Sequence, residues 1–504
     1  MSNLTLIQFF HWYYPQNGKL WNEVMKEAPR LSSMGISHLW LPPAYKGANG
    51  GYSVGYDPYD LYDLGEFDQK GTIATKYGTK QEYLQAVETA HKNNLSIIAD
   101  IVLNHKAGAD ELEKFSVLKV NPHNRKEVIS DRFEIEAWTK FTFPGRKGKY
   151  SQFIWDHKCF TGIDWAHDIK ENGIFSILNE YGDGWEELTE EELGNYDYLM
   201  YADIEFRNNS VREELKRWGE WYLQTTNVDG FRLDAVKHIA PHFIKEWVGH
   251  LKSVSKKPLF FVAEYWNIHT VLALKKYIDA TEGCIQLFDA PLVHNFHVAS
   301  KMGRDYDLRN IFNNTLMQEF PSLAVTIVQN HDTQPLQALE NSVEDWFMPL
   351  AHAMILLREQ GIPCLFYPAL YGAKYTDKGR DGNDYEITIS KVQNIEKLIL
   401  ARKLLAYGIQ KDYLDHHNTI GWTRQGNDEY PDACCAVLLS NGEPGYKMME
   451  IGRKHKGKTF VDLLGNCKKK VVINKDGIAE FHCEGGSVSV WVPLKTFSKF
   501  KSKV

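Results

Sequence analysis

No apolar stretch in this sequence approaches the roughly eighteen residues that a membrane-spanning helix needs, so no membrane partner is expected. Positive charge is also in short supply. Lys and Arg number 58 against 65 acidic residues, the net charge is -7, and the Lys-rich stretch from Lys495 to Lys503 is short and terminal. Without a basic stripe, nucleic acid is not an expected partner. Cysteine is scarce: seven residues, an odd number, with Cys434 and Cys435 adjacent and badly placed to bridge each other. No C-x-x-C pair or His/Cys cluster has zinc spacing, so the thiols read as small buried hydrophobes in a reducing compartment. The opening MSNLTLIQFF lacks a basic n-region and a small-residue cleavage site. A cytoplasmic protein is therefore expected, or a secreted one if the numbering begins after a removed leader. Short repeats and low-complexity segments are missing too.

What remains is an ordinary globular composition, 43% hydrophobic and 24% charged, in a chain of 504 residues. That length exceeds what one hydrophobic core usually supports, so a large body with at least one further domain is expected. Eight short apolar runs stand out: Leu4 to Phe10, Ile36 to Leu41, Leu95 to Leu103, Gly230 to Leu233, Leu259 to Ala263, Ile285 to Phe288, Ala324 to Val328 and Pro363 to Tyr367. Between most of them lie stretches of helical period and crossover length, such as Lys80 to Asn94, Ser210 to Thr226, Val343 to Gly361 and Lys391 to Tyr407. Eight βα units predict an α/β fold, a closed (β/α)8 TIM barrel formed by about residues 1–104 and 207–406. The gap between the third and fourth runs is too long for a simple loop, so residues 105–206 are expected to form an inserted subdomain. From 407 to 504 the pattern changes to short strand-like runs separated by Asn-Gly, Gly-Gly and Asp-Gly turns, which predicts a C-terminal antiparallel β-sandwich.

Ionisable residues concentrate where four of the runs end. The third ends Asp100-Ile-Val-Leu-Asn104-His105, and the fourth reads Gly230-Phe-Arg232-Leu-Asp234-Ala-Val-Lys237-His238. The fifth ends Ala263-Glu264-Tyr-Trp266, and the seventh Gln329-Asn330-His331-Asp332-Thr333. In a parallel barrel these ends converge on one mouth, bringing together Asp234, Glu264 and Asp332 from distant parts of the chain. Glycoside hydrolysis needs such a grouping: one carboxylate to attack the anomeric carbon and one protonated carboxyl to release the leaving oxygen. Arg232, two positions before Asp234 on a strand, shares its face and favours the carboxylate form of a nucleophile. Glu264 follows a run of apolar residues and faces other carboxylates, so desolvation and repulsion favour the protonated form of a general acid/base. Asp332 is left to hold the distorted sugar and stabilise its oxocarbenium-like charge.

In this order the four segments resemble the signature regions of the α-amylase family, glycoside hydrolase family 13. The runs Gly55-Tyr-Asp-Pro-Tyr-Asp-Leu-Tyr-Asp-Leu-Gly-Glu-Phe67, Asn195-Tyr-Asp-Tyr-Leu-Met-Tyr-Ala-Asp203 and His331-Asp-Thr-Gln-Pro335 are similar to the bacterial liquefying amylases in particular, as is Gly485-Gly-Ser-Val-Ser489. The similarity covers nearly the whole chain. It implies endo-acting, retaining hydrolysis of internal α-1,4-glucosidic bonds in starch, glycogen or maltodextrin by a cytoplasmic, monomeric form. It further implies sugar contacts from His105, Arg232, His238 and His331, a stacking platform at Tyr56, and Lys237 further along the cleft. Trp12 and Trp266 suit either stacking on glucose faces or packing, and are not counted as site residues.

The same resemblance implies Ca2+, held by Asn104, Asp197 and Asp203 and by the main-chain carbonyl of His238, pinning the insert to the barrel. This chain departs from the liquefying amylases where their additional metal cluster sits. Thr161 and Gly184 replace acidic residues and Glu205 replaces an Asp, so a second calcium with sodium is not expected. Near the eighth strand, Pro368 and Ala369 stand where Gly-Asp is usual. Two alternatives stay open: a family 13 transglycosylase or other α-glucan specificity, and a non-catalytic glucan-binding module.

Overall fold

The computed structural model describes residues 3–181 and 184–500; Lys501 and Lys503 of the basic tail lie outside them. Eight parallel strands close into a barrel. In chain order they are β1 (Leu6–Gln8), β2 (His38–Leu41), β3 (Ser96–Ile101), β4 (Gly230–Leu233), β5 (Phe260–Ala263), β6 (Gln286–Phe288), β7 (Ala324–Thr326) and β8 (Ile362–Phe366). Each pairs with its sequence neighbours, and β1 closes the ring against both β2 and β8, with Leu6 opposite His38 and Cys364. Seven of the eight apolar runs contain one of these strands, and the eighth overlaps β8, which begins one residue earlier at Ile362. They read as continuous apolar runs because helices cover the outer face while the inner face is packed.

Two of the helices outside the barrel begin at side-chain caps. Thr79 and Glu82 form a reciprocal capping box at the start of Lys80–Lys92, and the Asn208 side chain accepts from the Ser210 amide ahead of Asn209–Thr226. The expected amphipathic helix at Val343 to Gly361 is shorter, Met348–Leu357, and nearly every residue in it is buried. It is covered on both sides, by the barrel and by the C-terminal domain, whose Trp422 indole donates to the Leu357 carbonyl at 3.2 Å. A helix buried all round shows no polar stripe.

Gly230 opens β4 at a tight approach: a Cβ there would overlap the carbonyl oxygen of Phe260 on β5. Gly230→Ala is expected to cost about 3 kcal/mol by forcing the two strands apart. The denaturation midpoint should fall accordingly; an unchanged midpoint would show that the barrel absorbs the methyl group.

Between β3 and β4 the chain builds a seven-stranded antiparallel sheet, running from His105–Lys106 through Ala202–Ile204, Phe160–Ala166, Glu171–Ile177 and Glu111–Asn121. After the last barrel helix, Ile395–Leu405, a six-stranded antiparallel sheet packs against the pair Gly445–Glu450 and Ile478–Cys483. Leu438, Met449, Phe460, Phe481 and Trp491 fill the space between them. A further exposed hairpin, Ala373–Lys378 with Asp384–Ile389, follows β8 and was not apparent from the apolar pattern. Among the described residues, no helix is long and apolar enough to cross a membrane.

Candidate active site

Two of the three catalytic candidates, Asp234 and Glu264, lie one residue beyond the barrel strands. The Asp234 amide donates to the Ile101 carbonyl at 2.9 Å, and the Glu264 amide donates to the Leu233 carbonyl at 2.9 Å. These bonds continue the parallel ladder past β4 and β5, so the two carboxyl groups stand on adjacent strands at the same level. Directly after Asp234, Ala235 takes a left-handed conformation, φ 50° and ψ 35°, and turns the chain into the short helix Val236–His238. A non-glycine residue held there marks a locally constrained turn.

Arg232 organises the site from beneath. Its guanidinium is fully buried and donates to Asp100 at 2.8 Å, to Asp234 at 2.6 Å, and to Glu264. The parallel register sets Arg232 beside Asp100, and Asp100 is fixed in turn by the Trp40 indole at 2.9 Å and the Tyr56 hydroxyl at 2.7 Å. One cation thus serves three carboxyl groups, which leaves a surplus of potential negative charge in a dry pocket. Burial pushes Glu264 well above the usual carboxylate range; Arg232 opposes this, and Asp332 and Asp234 add to the rise. Burial likewise raises Asp332 to about 7, against Arg232 and with Asp234 and Asp100.

Asp332 is presented by a turn in which the Asn330 side chain accepts from the amides of Asp332 and Thr333 at 3.0 and 2.9 Å. His331 lies with its Nε2 3.2 Å from the Asp332 carboxyl. Its ring is nearly parallel to those of Tyr56, at 4.8 Å, and Trp12, at 6.1 Å. Tyr56 is therefore part of an aromatic floor that also includes Trp12, a role for Trp12 that its sequence position alone did not distinguish from packing. Across the site, His105 Nε2 lies 3.0 Å from the Tyr56 carbonyl, and His238 Nδ1 2.6 Å from that of Tyr196. Burial lowers both imidazoles, His238 to about 3. Lys237 is held by Glu192, with Glu190 at 3.9 Å. Glu190 also accepts from the Tyr265 hydroxyl and the Asn267 amide, both at 2.8 Å. This acidic strap from the insert was missed in sequence, where a run of glutamates reads as a solvated surface.

Three of the residues expected to hold calcium, Asn104, Asp197 and Asp203, lie together at the joint between insert and barrel. The Asn104 amide nitrogen donates to Asp203 at 3.0 Å, and Asp197 accepts from the Glu186 amide at 3.0 Å. Asp197 and Asp203 are both buried and, among the described residues, neither has an ion-pair partner. Burial lifts Asp197 to about 7 and Asp203 well above its ordinary value. The Asn104 carbonyl oxygen is buried, with no hydrogen-bond partner among the described residues. Two uncompensated carboxyl groups beside an orphaned amide oxygen form a donor set that suits a hard cation. Among the described residues, no three His, Cys, Asp or Glu side chains form a metal cage by themselves, so the amide and a backbone carbonyl would have to complete the shell. At the departed positions, Thr161 donates to Asp203, and Arg207 bonds Glu205 at 2.7 and 2.6 Å and the Gly184 carbonyl at 3.0 Å. A guanidinium is the cation in contact with Glu205.

Carboxyl groups brought together from separate strands at a barrel mouth, over rings suited to the faces of sugars, fit the glycoside hydrolase class. Comparison with known proteins gives the family. The model for the α-amylase catalytic domain matches residues 20–397, and that for the α-amylase C-terminal domain matches residues 435–492. The chain belongs to the α-amylase family. It is 54% identical over 493 residues to a cytoplasmic α-amylase of Escherichia coli K12, covering 98% of this chain and 99% of that one. It is 50% identical to an α-amylase of Geobacillus stearothermophilus, over 98% of this chain and 88% of the other. An α-amylase of Bacillus licheniformis is 46% identical, over 97% and 93%. Among solved structures, an α-amylase from Geobacillus thermoleovorans complexed with acarbose shares the fold, with a TM-score of 0.63, 18% identity and 97% coverage of both chains.

Proposed function

We propose that this chain is an endo-acting, retaining α-amylase that hydrolyses internal α-1,4-glucosidic bonds by double displacement at Asp234, Glu264 and Asp332. The observation that carries the reading is the Arg232 fork, which joins Asp234 and Glu264 while burial keeps Glu264 protonated above the usual carboxylate range. Asp234 attacks the anomeric carbon as Glu264 protonates the departing glycosidic oxygen. The deprotonated Glu264 then takes a proton from water, which hydrolyses the glucosyl ester. Asp332 holds the hydroxyls of the distorted glucosyl unit and stabilises its developing positive charge. Tyr56 supplies the floor, Arg232, His105, His238 and His331 contact the sugar at the cleavage point, and Lys237 lies further along the cleft. The cytoplasmic relative from Escherichia coli supports an enzyme of the same compartment. In this reading residues 1–104 and 207–406 form the catalytic barrel, 105–206 the calcium-binding insert and 407–504 the sandwich.

Calcium would be held by Asn104, Asp197, Asp203 and the His238 carbonyl. Its contribution would be structural: bound there, it would neutralise the buried carboxylates of Asp197 and Asp203 and link the insert to the turn that follows Asp234. Removing it should therefore destabilise the fold. A cation present at a thousandfold excess over its Kd contributes about 4 kcal/mol, so a chelator is expected to lower the melting temperature, and Asp203→Asn to remove most of that sensitivity. A melting temperature indifferent to chelator would overturn the calcium reading.

The direct test of activity is product analysis on soluble starch and a blocked maltoheptaoside. Early internal cuts releasing α-anomers are expected. Folded protein that cleaves neither substrate would contradict the proposed function.

A further inference from the structure

Gln8 ends β1 and is 1% exposed, a polar side chain between the apolar pairs Leu6-Ile7 and Phe9-Phe10. Its amide nitrogen lies 2.8 Å from Nδ1 of His331, and its amide oxygen is buried with no partner among the described residues. A buried amide satisfied on one side only is a net cost to the fold, so stability does not account for a glutamine here. Function does. A neutral imidazole has one N–H and one lone pair, and the opposite ring nitrogen, Nε2, stands 3.2 Å from the Asp332 carboxyl. Opposite an ionised carboxylate the proton belongs on Nε2. Nδ1 must then accept, and only the amide N–H of Gln8 can donate to it. The reversed amide would put the proton on Nδ1 and turn the Nε2 lone pair toward Asp332.

The charged and titratable groups that face His331 are Asp332, Arg232 and the Tyr56 hydroxyl; the remaining walls are the rings of Phe10, Trp12 and Trp40. Burial and the nearby Arg232 charge hold His331 well below its ordinary value, so an imidazolium does not form at neutral pH. We infer that Gln8 is a positioning residue, fixing the tautomer in which His331 presents Nε2–H to Asp332 and to the glucosyl unit that Asp332 holds. The inference rests on the proposed role of Asp332.

The test is 15N NMR of histidine-labelled enzyme at about pH 8, above the value of about 7 to which Asp332 is raised, with the His331 signal identified by its loss in His331→Asn. Wild-type enzyme should show the proton on Nε2; a proton on Nδ1 overturns the inference without recourse to any Gln8 variant. Gln8→Met keeps the length of the side chain and removes the donor. It should mix the tautomers and lower kcat about tenfold, with KM within about twofold and a melting temperature no lower than wild type. Unchanged kcat in a folded Gln8→Met enzyme would also overturn it. Should Asp332→Asn retain full turnover, the proposed role of Asp332 fails instead, and the two failures are told apart.

Discussion

Asp234→Asn is expected to lower kcat on starch by roughly 10⁴-fold or more, because the amide cannot form the glucosyl ester through which double displacement proceeds. The fold should survive. Asn has nearly the volume of Asp, and the backbone bond from residue 234 to Ile101 does not involve the side chain. What changes is the charge balance over Arg232, which keeps Asp100 and Glu264 as partners. Circular dichroism and the melting curve should therefore match wild type closely while turnover disappears. Full residual activity in a folded variant would remove Asp234 from the mechanism.

Glu264→Gln should cost about 10² to 10⁴-fold in kcat, the usual worth of a positioned acid/base, and the loss should depend on the substrate. A glucosyl fluoride needs little help in departure, so its first step is largely spared. Azide, which attacks without base assistance, should restore turnover and yield the α-configured glycosyl azide. The pH dependence gives an independent check. Burial raises Glu264 above the ordinary carboxylate range, so the free enzyme keeps its acid proton to higher pH and loses kcat/KM as pH rises through that raised value. Gln cannot titrate, and the alkaline limb should vanish with the carboxyl group. A limb of unchanged position in Glu264→Gln would assign it to another group, with Asp332, raised to about 7, the nearest alternative.

The barrel was legible because its strands are buried on both faces and so leave short apolar runs, four of them ended by the ionisable residues of the mouth. Arg232, Asp234, Glu264 and Asp332 could be singled out because ionisable groups rarely end such runs unless chemistry needs them there. Other features left weaker traces. The hairpin Ala373–Lys378 and Asp384–Ile389 is largely exposed and holds no continuous apolar run, although the alternation of Tyr385, Ile387 and Ile389 and the Asp381-Gly382 turn were usable signals. Glu190 and Glu192 look like surface charge until the fold brings Lys237, Tyr265 and Asn267 to them. Gln8 was hidden in the first apolar run. The clue was its polarity, but its partner His331 lies 323 positions away, and only closure of the ring makes them neighbours.

The central claim, a covalent glucosyl intermediate on Asp234, is tested most directly by trapping it. A 5-fluoro-α-glucosyl fluoride slows the second displacement more than the first, so enzyme treated with it and digested with protease should yield one labelled peptide, modified at Asp234. A label on Glu264 or Asp332, or active enzyme that never acquires one, would contradict the mechanism.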